Sequence, residues 1–122
     1  MAKIMIVDDS AYARRVHRAM LEHAGHAIVE AASGHGAIET FSLERPDVVI
    51  LDLSMADIGG VEVLQTLRLL DAKARVIVVS ADVQRSTERA VMEAGAERFV
   101  AKPANADQLV GAVADVMRAT LP

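Results

Sequence analysis

Short apolar runs recur along the chain, and longer segments with helical spacing separate them. The runs occupy residues 4–7, 27–29, 48–51 and 76–79, with a weaker one at 98–101. They are rich in β-branched residues and lack polar alternation, which predicts strands that are buried on both faces. An alternation of strand and helix along the whole chain is typical of a parallel sheet with helices on both sides. The sequence therefore predicts an α/β fold.

Residues that start and end helices fall between these runs. Gly25 and Gly95 follow the first and fourth helical segments, where a glycine cap is common. Ser33 can cap the second helix, and Asn105 with Gln108 has the spacing of a capping box for the last one. In the first helical segment, four apolar side chains have the spacing of one buried face: Ala13, Val16, Met20 and Ala24.

The chain has 122 residues, which is the size of one ordinary domain. We expect a single domain over residues 1–122, with a last helix that ends near Thr120. This leaves no room for a separate output domain. The sequence is then either a stand-alone domain or a piece of a longer chain.

Composition excludes several classes of protein. Aromatic residues make up 2% of the chain and the net charge is −4, which argues against direct nucleic-acid binding. The absence of cysteine excludes disulfides, thiolate metal sites and a cysteine nucleophile. No apolar run has the length of a membrane span, and Asp8 and Asp9 interrupt the first run before a signal-peptide core could form. We expect a cytoplasmic protein that does not insert into membranes.

Polar residues follow the predicted strands at the points where they end. These residues are Asp8, Asp9, Asp52, Ser80 and Lys102. Because the carboxyl ends of parallel strands meet at one edge of a sheet, we expect these side chains to converge. Three close carboxylates repel one another unless cations offset their negative charge. Lys102 would supply one positive charge, and Mg²⁺, which prefers oxygen ligands, would supply the rest. A carboxylate is ionised at pH 7 and can attack phosphorus without a general base, so the set is suited to receiving a phosphoryl group.

In this ordered set the chain resembles the response-regulator receiver domains of two-component signalling, of the kind found in chemotaxis regulators. The resemblance covers essentially the whole chain. It implies a flavodoxin-like doubly wound (βα)5 sandwich of three layers with the sheet order 2-1-3-4-5. It further implies that Asp52 is the phosphoacceptor, that Asp9 binds Mg²⁺ directly, and that Asp8 does so largely through water. The Ser54 backbone carbonyl is implied as a further Mg²⁺ ligand.

The same resemblance assigns roles to residues around the phosphoacceptor. Lys102 would contact the phosphoryl group, and the peptide bond between Lys102 and Pro103 would be cis. Ser80 would be the switch hydroxyl and Phe99 the switch aromatic. Asp82, together with Ser54, occupies a position that tunes dephosphorylation in the family.

The resemblance also implies partners. A sensor histidine kinase or a histidine phosphotransfer protein would supply the phosphoryl group, and a small donor such as acetyl phosphate could do the same. A downstream protein would bind the face formed by helix 4, strand 5 and helix 5. Arg85, Arg89 and Arg98 could contribute to that face or could be ordinary surface residues.

The sequence departs from the family pattern in the loop after the phosphoacceptor. Ala56 stands where many relatives have proline, and Gly59 and Gly60 close the loop. Since proline restricts the backbone and glycine frees it, this pattern predicts a more mobile loop and an altered phosphoryl lifetime.

Other functions are compatible with parts of the sequence. An aspartyl-phosphate phosphatase of the haloacid-dehalogenase type needs a second acid two residues after the nucleophile, where this chain has Ser54. A degenerate receiver that only binds proteins and a flavodoxin-like cofactor carrier are further alternatives. A zinc site at His23 and His26 is disfavoured, because neither histidine has an acidic or cysteine partner nearby.

Overall fold

The computed structural model describes residues 1–118, which form five strands and five helices in strict alternation. The strands are β1 (Lys3–Val7), β2 (Ala27–Ala31), β3 (Val48–Leu51), β4 (Val76–Ser80) and β5 (Arg98–Ala101). The helices are α1 (Ala11–His23), α2 (Gly34–Glu44), α3 (Gly60–Leu70), α4 (Arg85–Glu93) and α5 (Ala106–Arg118). The predicted helix end near Thr120 lies outside the described residues.

All strands are parallel and lie in the order β2-β1-β3-β4-β5, which confirms the predicted topology. The register decides which strand ends meet. Val7 of β1 pairs with Leu51 of β3, so the residue that follows each strand lies at the same edge. Ser80 of β4 pairs with Ala101 of β5, which brings the residue after β5 to that edge as well.

Two apolar layers cover the sheet, one on each face. Successive strand residues point to opposite faces, so Met5 and Val7 face one layer while Ile4 and Ile6 face the other. Helices α2, α3 and α4 cover the first face, and α1 and α5 cover the second. The central strands β1, β3 and β4 are almost entirely buried, whereas β2 and β5 form the partly exposed edges. The prediction of strands buried on both faces therefore holds for the three central strands and is wrong for the two edges.

The predicted helix ends agree with the structure. Ser33 Oγ accepts a hydrogen bond from the Gly36 backbone N–H at 2.9 Å. Asn105 and Gln108 form the reciprocal bonds of a capping box, at 2.9 and 2.8 Å. Gly25 and Gly95 have φ angles of +95° and +108°, the left-handed conformation that favours glycine.

The predicted buried face of α1 is partly wrong. Ala24 is exposed, and the residues of α1 that are fully buried are His17 and Leu21. The helix is rotated relative to the prediction, and Arg14 and Arg18 are directed toward β2. Both guanidinium groups pair with Glu30, at 2.9 and 2.6 Å.

Within residues 1–118, no helix combines the length and apolar character that crossing a bilayer requires.

Candidate functional site

The acidic residues predicted from the strand ends lie together at the carboxyl edge of the sheet. Asp8 follows β1 and Asp52 follows β3, and their exposed fractions are 2% and 5%. Asp9 is exposed at the rim. One carboxylate oxygen from each of the three residues lies within 4.8 Å of the others. The site is thus a compact cluster of three carboxylates in which two are buried.

Lys102 supplies the positive charge at this cluster. Its Nζ lies 2.9 Å from Asp8 Oδ2 and 3.5 Å from Asp52 Oδ1. Its backbone N–H donates to the Ser80 carbonyl at 2.9 Å, which holds the end of β5 beside β4. The peptide bond to Pro103 is cis. Burial lowers the pKa of the Lys102 ammonium, but the hydrogen bond to Asp8 and the charge of Asp52 outweigh burial and raise it. Lys102 is therefore charged at neutral pH.

The electrostatics of Asp52 are unfavourable for its charged form. Burial raises the pKa of the Asp52 carboxyl, and the neighbouring charge of Asp8 adds to that effect. Lys102 and the backbone N–H of Ser54 act in the opposite direction without cancelling it. Three carboxylates against one ammonium leave two negative charges uncompensated, so the site favours an additional cation.

The donor atoms of the cluster fit a hard divalent cation. The three acidic side chains offer only oxygen, which is the ligand atom that Mg²⁺ and Ca²⁺ prefer. His17 is the nearest candidate for a nitrogen ligand, but it is buried in α1 beside Lys102. Burial and the charge of Lys102 lower the pKa of its imidazole, so His17 is neutral at pH 7. In the sequence His17 has the appearance of an ordinary polar helix residue, and no pattern there indicates its burial at this site.

Ser80 and Asp82 lie at the end of β4, next to the cluster. Ser80 is 1% exposed, and its Oγ accepts a hydrogen bond from the Asp82 backbone N–H at 3.0 Å. The Asp82 carboxylate is directed toward α4, where the Gln84 backbone N–H and the Thr87 hydroxyl donate to it. Hydrogen bonds from Thr87 and Gln84 lower the pKa of Asp82.

Phe99 is half-buried in the edge strand β5. It packs against the apolar layer that contains Val78 of β4 and Val91 of α4. In the structure Phe99 is therefore part of the contact between the sheet and α4, and its predicted role as a switch residue stays a prediction.

The loop after β3 is anchored by a residue that the sequence analysis did not single out. Asp57 accepts hydrogen bonds from the backbone N–H groups of Gly34 and His35, both at 2.9 Å. These bonds lower the pKa of Asp57 to about 2. The ionised carboxylate thus caps α2 from a different loop, which ties the segment around Ala56 to the body of the domain. This attachment opposes the loop mobility predicted from Ala56 and the two glycines.

Because the pKa of Asp57 is lowered, we expect the stability that this residue contributes to the folded protein to depend on pH. The contribution of Asp57 is present above the ordinary pKa of 3.8 and is lost as pH falls toward about 2. We expect Asp57→Ala to lower the melting temperature by a few degrees at pH 7, and we expect this difference to shrink between pH 4 and pH 2. Thermal unfolding followed by circular dichroism checks this. In the control Asp57→Asn, which keeps an acceptor oxygen, the pH-dependent part alone is expected to disappear. A deficit of Asp57→Ala that is unchanged at pH 2 would contradict the capping role.

The two histidines considered for zinc are not arranged as a metal site. His26 Nδ1 accepts a hydrogen bond from the Ala2 backbone N–H at 3.0 Å. Burial and the N-terminal charge lower the pKa of His26. His23 is exposed at the end of α1, and among residues 1–118 the acidic cluster at the sheet edge is the one group of three or more possible metal-ligating side chains.

Comparisons with known proteins agree with this architecture. The family model of the response regulator receiver domain matches residues 4–114. The chemotaxis protein CheY of Bacillus subtilis is 36% identical over 112 residues, which cover 91% of this chain and 93% of that protein. The chemotaxis protein CheY of Thermotoga maritima is 30% identical over 117 residues, which cover 95% of this chain and 98% of that protein.

A solved structure shows the same fold. The CheX–CheY–BeF3–Mg²⁺ complex from Borrelia burgdorferi contains a chain with a TM-score of 0.91 and 27% sequence identity. The match covers 94% of this chain and 88% of that one. The matched range, the relatives and the strand-end cluster agree, and this chain belongs to the receiver-domain family of two-component response regulators.

Proposed function

We propose that this domain accepts a phosphoryl group on Asp52 from a histidine kinase or a histidine phosphotransfer protein and thereby changes its partner-binding face. The observation that carries the proposal is the position of Asp52. This residue is buried at the sheet edge, and its Oδ1 lies 3.5 Å from Lys102 Nζ. Two buried carboxylates, Asp8 and Asp52, share the single ammonium of Lys102, and an uncompensated buried charge is a costly arrangement for a purely structural site.

The chemistry follows from the residues at this edge. A carboxylate oxygen of Asp52 attacks phosphorus, an O–P bond forms, and the bond to the donor breaks with its electron pair leaving on the donor. The ammonium of Lys102 and the hydroxyl of Ser80 donate to phosphoryl oxygens, which stabilises the charge on the transferred group. Because Asp52 acts as a carboxylate, the attack requires no general base.

We propose Mg²⁺ as the cofactor, held by Asp8, Asp9 and Asp52 with the backbone carbonyl of Ser54. When bound, Mg²⁺ offsets negative charge on the carboxylates and on the phosphoryl oxygens. The oxygen-only donor set of the cluster supports this assignment. The related chain in the CheX–CheY–BeF3–Mg²⁺ complex from Borrelia burgdorferi supports it as well.

Loss of the phosphoryl group is part of the same proposal. The domain would assist its own phosphorylation and the hydrolysis of its aspartyl phosphate, so it acts as a switch in a phosphorelay and not as an enzyme for an external substrate. Ser54 is exposed beside the cluster, where it can contact incoming water. The carboxylate of Asp82 is held at α4, so its effect on hydrolysis would depend on release from that helix.

The proposed partner face comprises α4, β5 and α5. β5 is an edge strand, and a groove of about 380 Å³ lies between it and α5. Arg98 of β5 pairs with Asp115 of α5 at 2.7 Å, whereas Arg85 and Arg89 are exposed on α4. Phe99 of β5 packs against the apolar layer that contains Val91 of α4. A movement of Ser80 and Phe99 toward the phosphoryl group would therefore change the surface formed by α4 and β5. The extent of the domain over residues 1–122 and its cytoplasmic location stay predictions.

Intact mass spectrometry after incubation with acetyl phosphate tests the proposed function. We expect a gain of one phosphoryl group that requires Mg²⁺ and disappears when EDTA is added. A parallel titration with beryllofluoride, which mimics the phosphoryl group without turning over, distinguishes rapid hydrolysis from failure to react. Absence of both the mass gain and Mg²⁺-dependent beryllofluoride binding would overturn the proposal and favour a receiver that only binds proteins.

A further inference from the structure

The loop between β4 and α4 is held by hydrogen bonds that run from Ser80 to the helix. The backbone N–H of Asp82 donates to Ser80 Oγ at 3.0 Å. The carboxylate of the same residue accepts from the Gln84 backbone N–H at 3.1 Å and from the Thr87 hydroxyl at 2.8 Å. Asp82 therefore connects the end of β4 to the first turn of α4.

The carboxylate of Asp82 is bonded to the start of α4, through the backbone N–H of Gln84 and the side chain of Thr87. Gln84 is the residue before α4, and its own side chain makes no capping bond. Asp82 supplies an acceptor from two residues before Gln84, and the hydrogen bonds from Thr87 and Gln84 lower the pKa of its carboxyl. A hydrogen bond from a hydroxyl to a carboxylate is stronger than one between neutral groups, so the contact with Thr87 restrains the loop more than its exposed location suggests.

The bond from the Asp82 N–H occupies an acceptor position of the buried Ser80 hydroxyl and leaves its proton unused. A serine hydroxyl has one proton to donate and lone pairs that accept. In the described part of the chain, Ser80 Oγ accepts from Asp82, and the hydroxyl proton is donated to no other group. The proton is therefore available to a further acceptor at the edge of the sheet where Asp52 lies.

We propose that Thr87 is a positioning residue for the Ser80 hydroxyl. The inference rests on the proposed phosphoacceptor function and adds a residue of α4 to its machinery. Thr87 binds the carboxylate of Asp82, and the Asp82 N–H binds Ser80 Oγ and leaves its proton free. The loop would then carry the Ser80 hydroxyl together with the first turn of α4 as the hydroxyl moves toward a phosphoryl oxygen on Asp52. Two hydrogen bonds thus link the partner-facing helix to the group that contacts the phosphoryl oxygens.

Calorimetric titration with beryllofluoride and Mg²⁺ tests the role of Thr87. We expect Thr87→Val, which keeps the shape of the side chain but lacks the hydroxyl, to bind beryllofluoride about three- to tenfold more weakly, the range expected for one net hydrogen bond. Thr87→Ser keeps the hydroxyl, and its affinity for beryllofluoride is expected to lie within about twofold of that of the wild type. Ser86→Ala removes an exposed hydroxyl from the same helix and is expected to have no effect.

Phosphorylation kinetics supply a readout that a merely structural role would not change. With phosphoramidate as the donor, Thr87→Val is expected to lower the maximal rate and to leave the concentration for half-maximal rate unchanged, because Thr87 bonds to Asp82 and is not a member of the acidic cluster. Thr87→Val with wild-type affinity and rate would overturn the positioning role, as would equal losses in Thr87→Val and Thr87→Ser. A wild-type protein that neither binds beryllofluoride nor becomes phosphorylated would instead overturn the proposed function and this inference together.

Discussion

Replacing Asp52 by asparagine is expected to abolish the Mg²⁺-dependent mass gain completely while making the folded protein more stable. The first effect follows because the amide lacks the nucleophilic oxygen. The second follows because Asp52 is buried, lies beside Asp8, and has a pKa raised by burial. Asparagine removes this charge and leaves Lys102 paired with Asp8 at 2.9 Å. Exchange of buried charge for neutral groups is often neutral or stabilising, and we expect a gain on the order of 1 kcal/mol.

The pH dependence of stability separates this explanation from a simple packing effect. A carboxyl whose pKa is raised on folding contributes stability below its unfolded value, 3.8 for Asp52, and loses it as pH rises through the folded value. Without Mg²⁺, the advantage of Asp52→Asn over the wild type should therefore be absent below pH 3.8 and should grow above it. Urea unfolding at several pH values, followed by circular dichroism, measures the difference.

The control for this prediction is Glu97→Gln, which removes an exposed carboxyl far from the cluster. Its stability relative to the wild type should not change over the same pH range. Added Mg²⁺ should reduce the advantage of Asp52→Asn, because a cation that binds the native state stabilises the wild type more. An Asp52→Asn variant that is less stable at neutral pH would contradict this electrostatic explanation. A variant that still gains a phosphoryl group would contradict the assignment of Asp52 as the phosphoacceptor.

The fold and the central cluster were predictable because their determinants are local in the sequence. β-branched runs mark the strands, and the parallel topology brings the residue after each strand to one edge. Asp8, Asp52 and Lys102 therefore meet although 94 residues separate the first from the last. The strand order itself came from the family resemblance, since periodicity alone does not determine which strands are neighbours.

The residues that the sequence analysis missed act through contacts that have no local signature. Asp57 caps a helix that begins 23 residues earlier in the chain. His17 is buried on the face of α1 next to the one that periodicity indicates, while Arg14 and Arg18 pair with Glu30 across the helix–sheet contact. The role that we propose for Thr87 depends on its bond to Asp82. Such roles depend on the distance between elements, which a single sequence does not contain.

The two adjacent glycines after β3 are expected to respond very differently to the same substitution. A Cβ on Gly60 would lie 2.6 Å from the backbone Cα of Leu53, whereas a Cβ on Gly59 would meet nothing within 4 Å. Gly59 also has φ −67° and ψ 150°, which alanine adopts readily. The sequence pattern predicts a flexible backbone at both positions. In the structure, glycine is required only at Gly60, because the backbone of Leu53 lies too close for a Cβ.

Gly60→Ala is therefore expected to lower the free energy of unfolding by about 2–3 kcal/mol, the usual cost of overpacking against a backbone that must move. Gly59→Ala, its matched control, should remain within about 0.5 kcal/mol of the wild type, because lower chain entropy and a poorer helix cap oppose each other. Urea unfolding measures the stability of both variants.

The same substitution is expected to affect ligand binding. Because α3 starts at Gly60 and the Gly60 N–H donates to the Leu53 carbonyl at 3.3 Å, displacement of the helix would shift the loop that carries Ser54. Gly60→Ala should then also bind beryllofluoride and Mg²⁺ more weakly, while Gly59→Ala binds as the wild type does. Equal losses in both variants would mean that backbone freedom, and not the contact with Leu53, determines the shape of this loop.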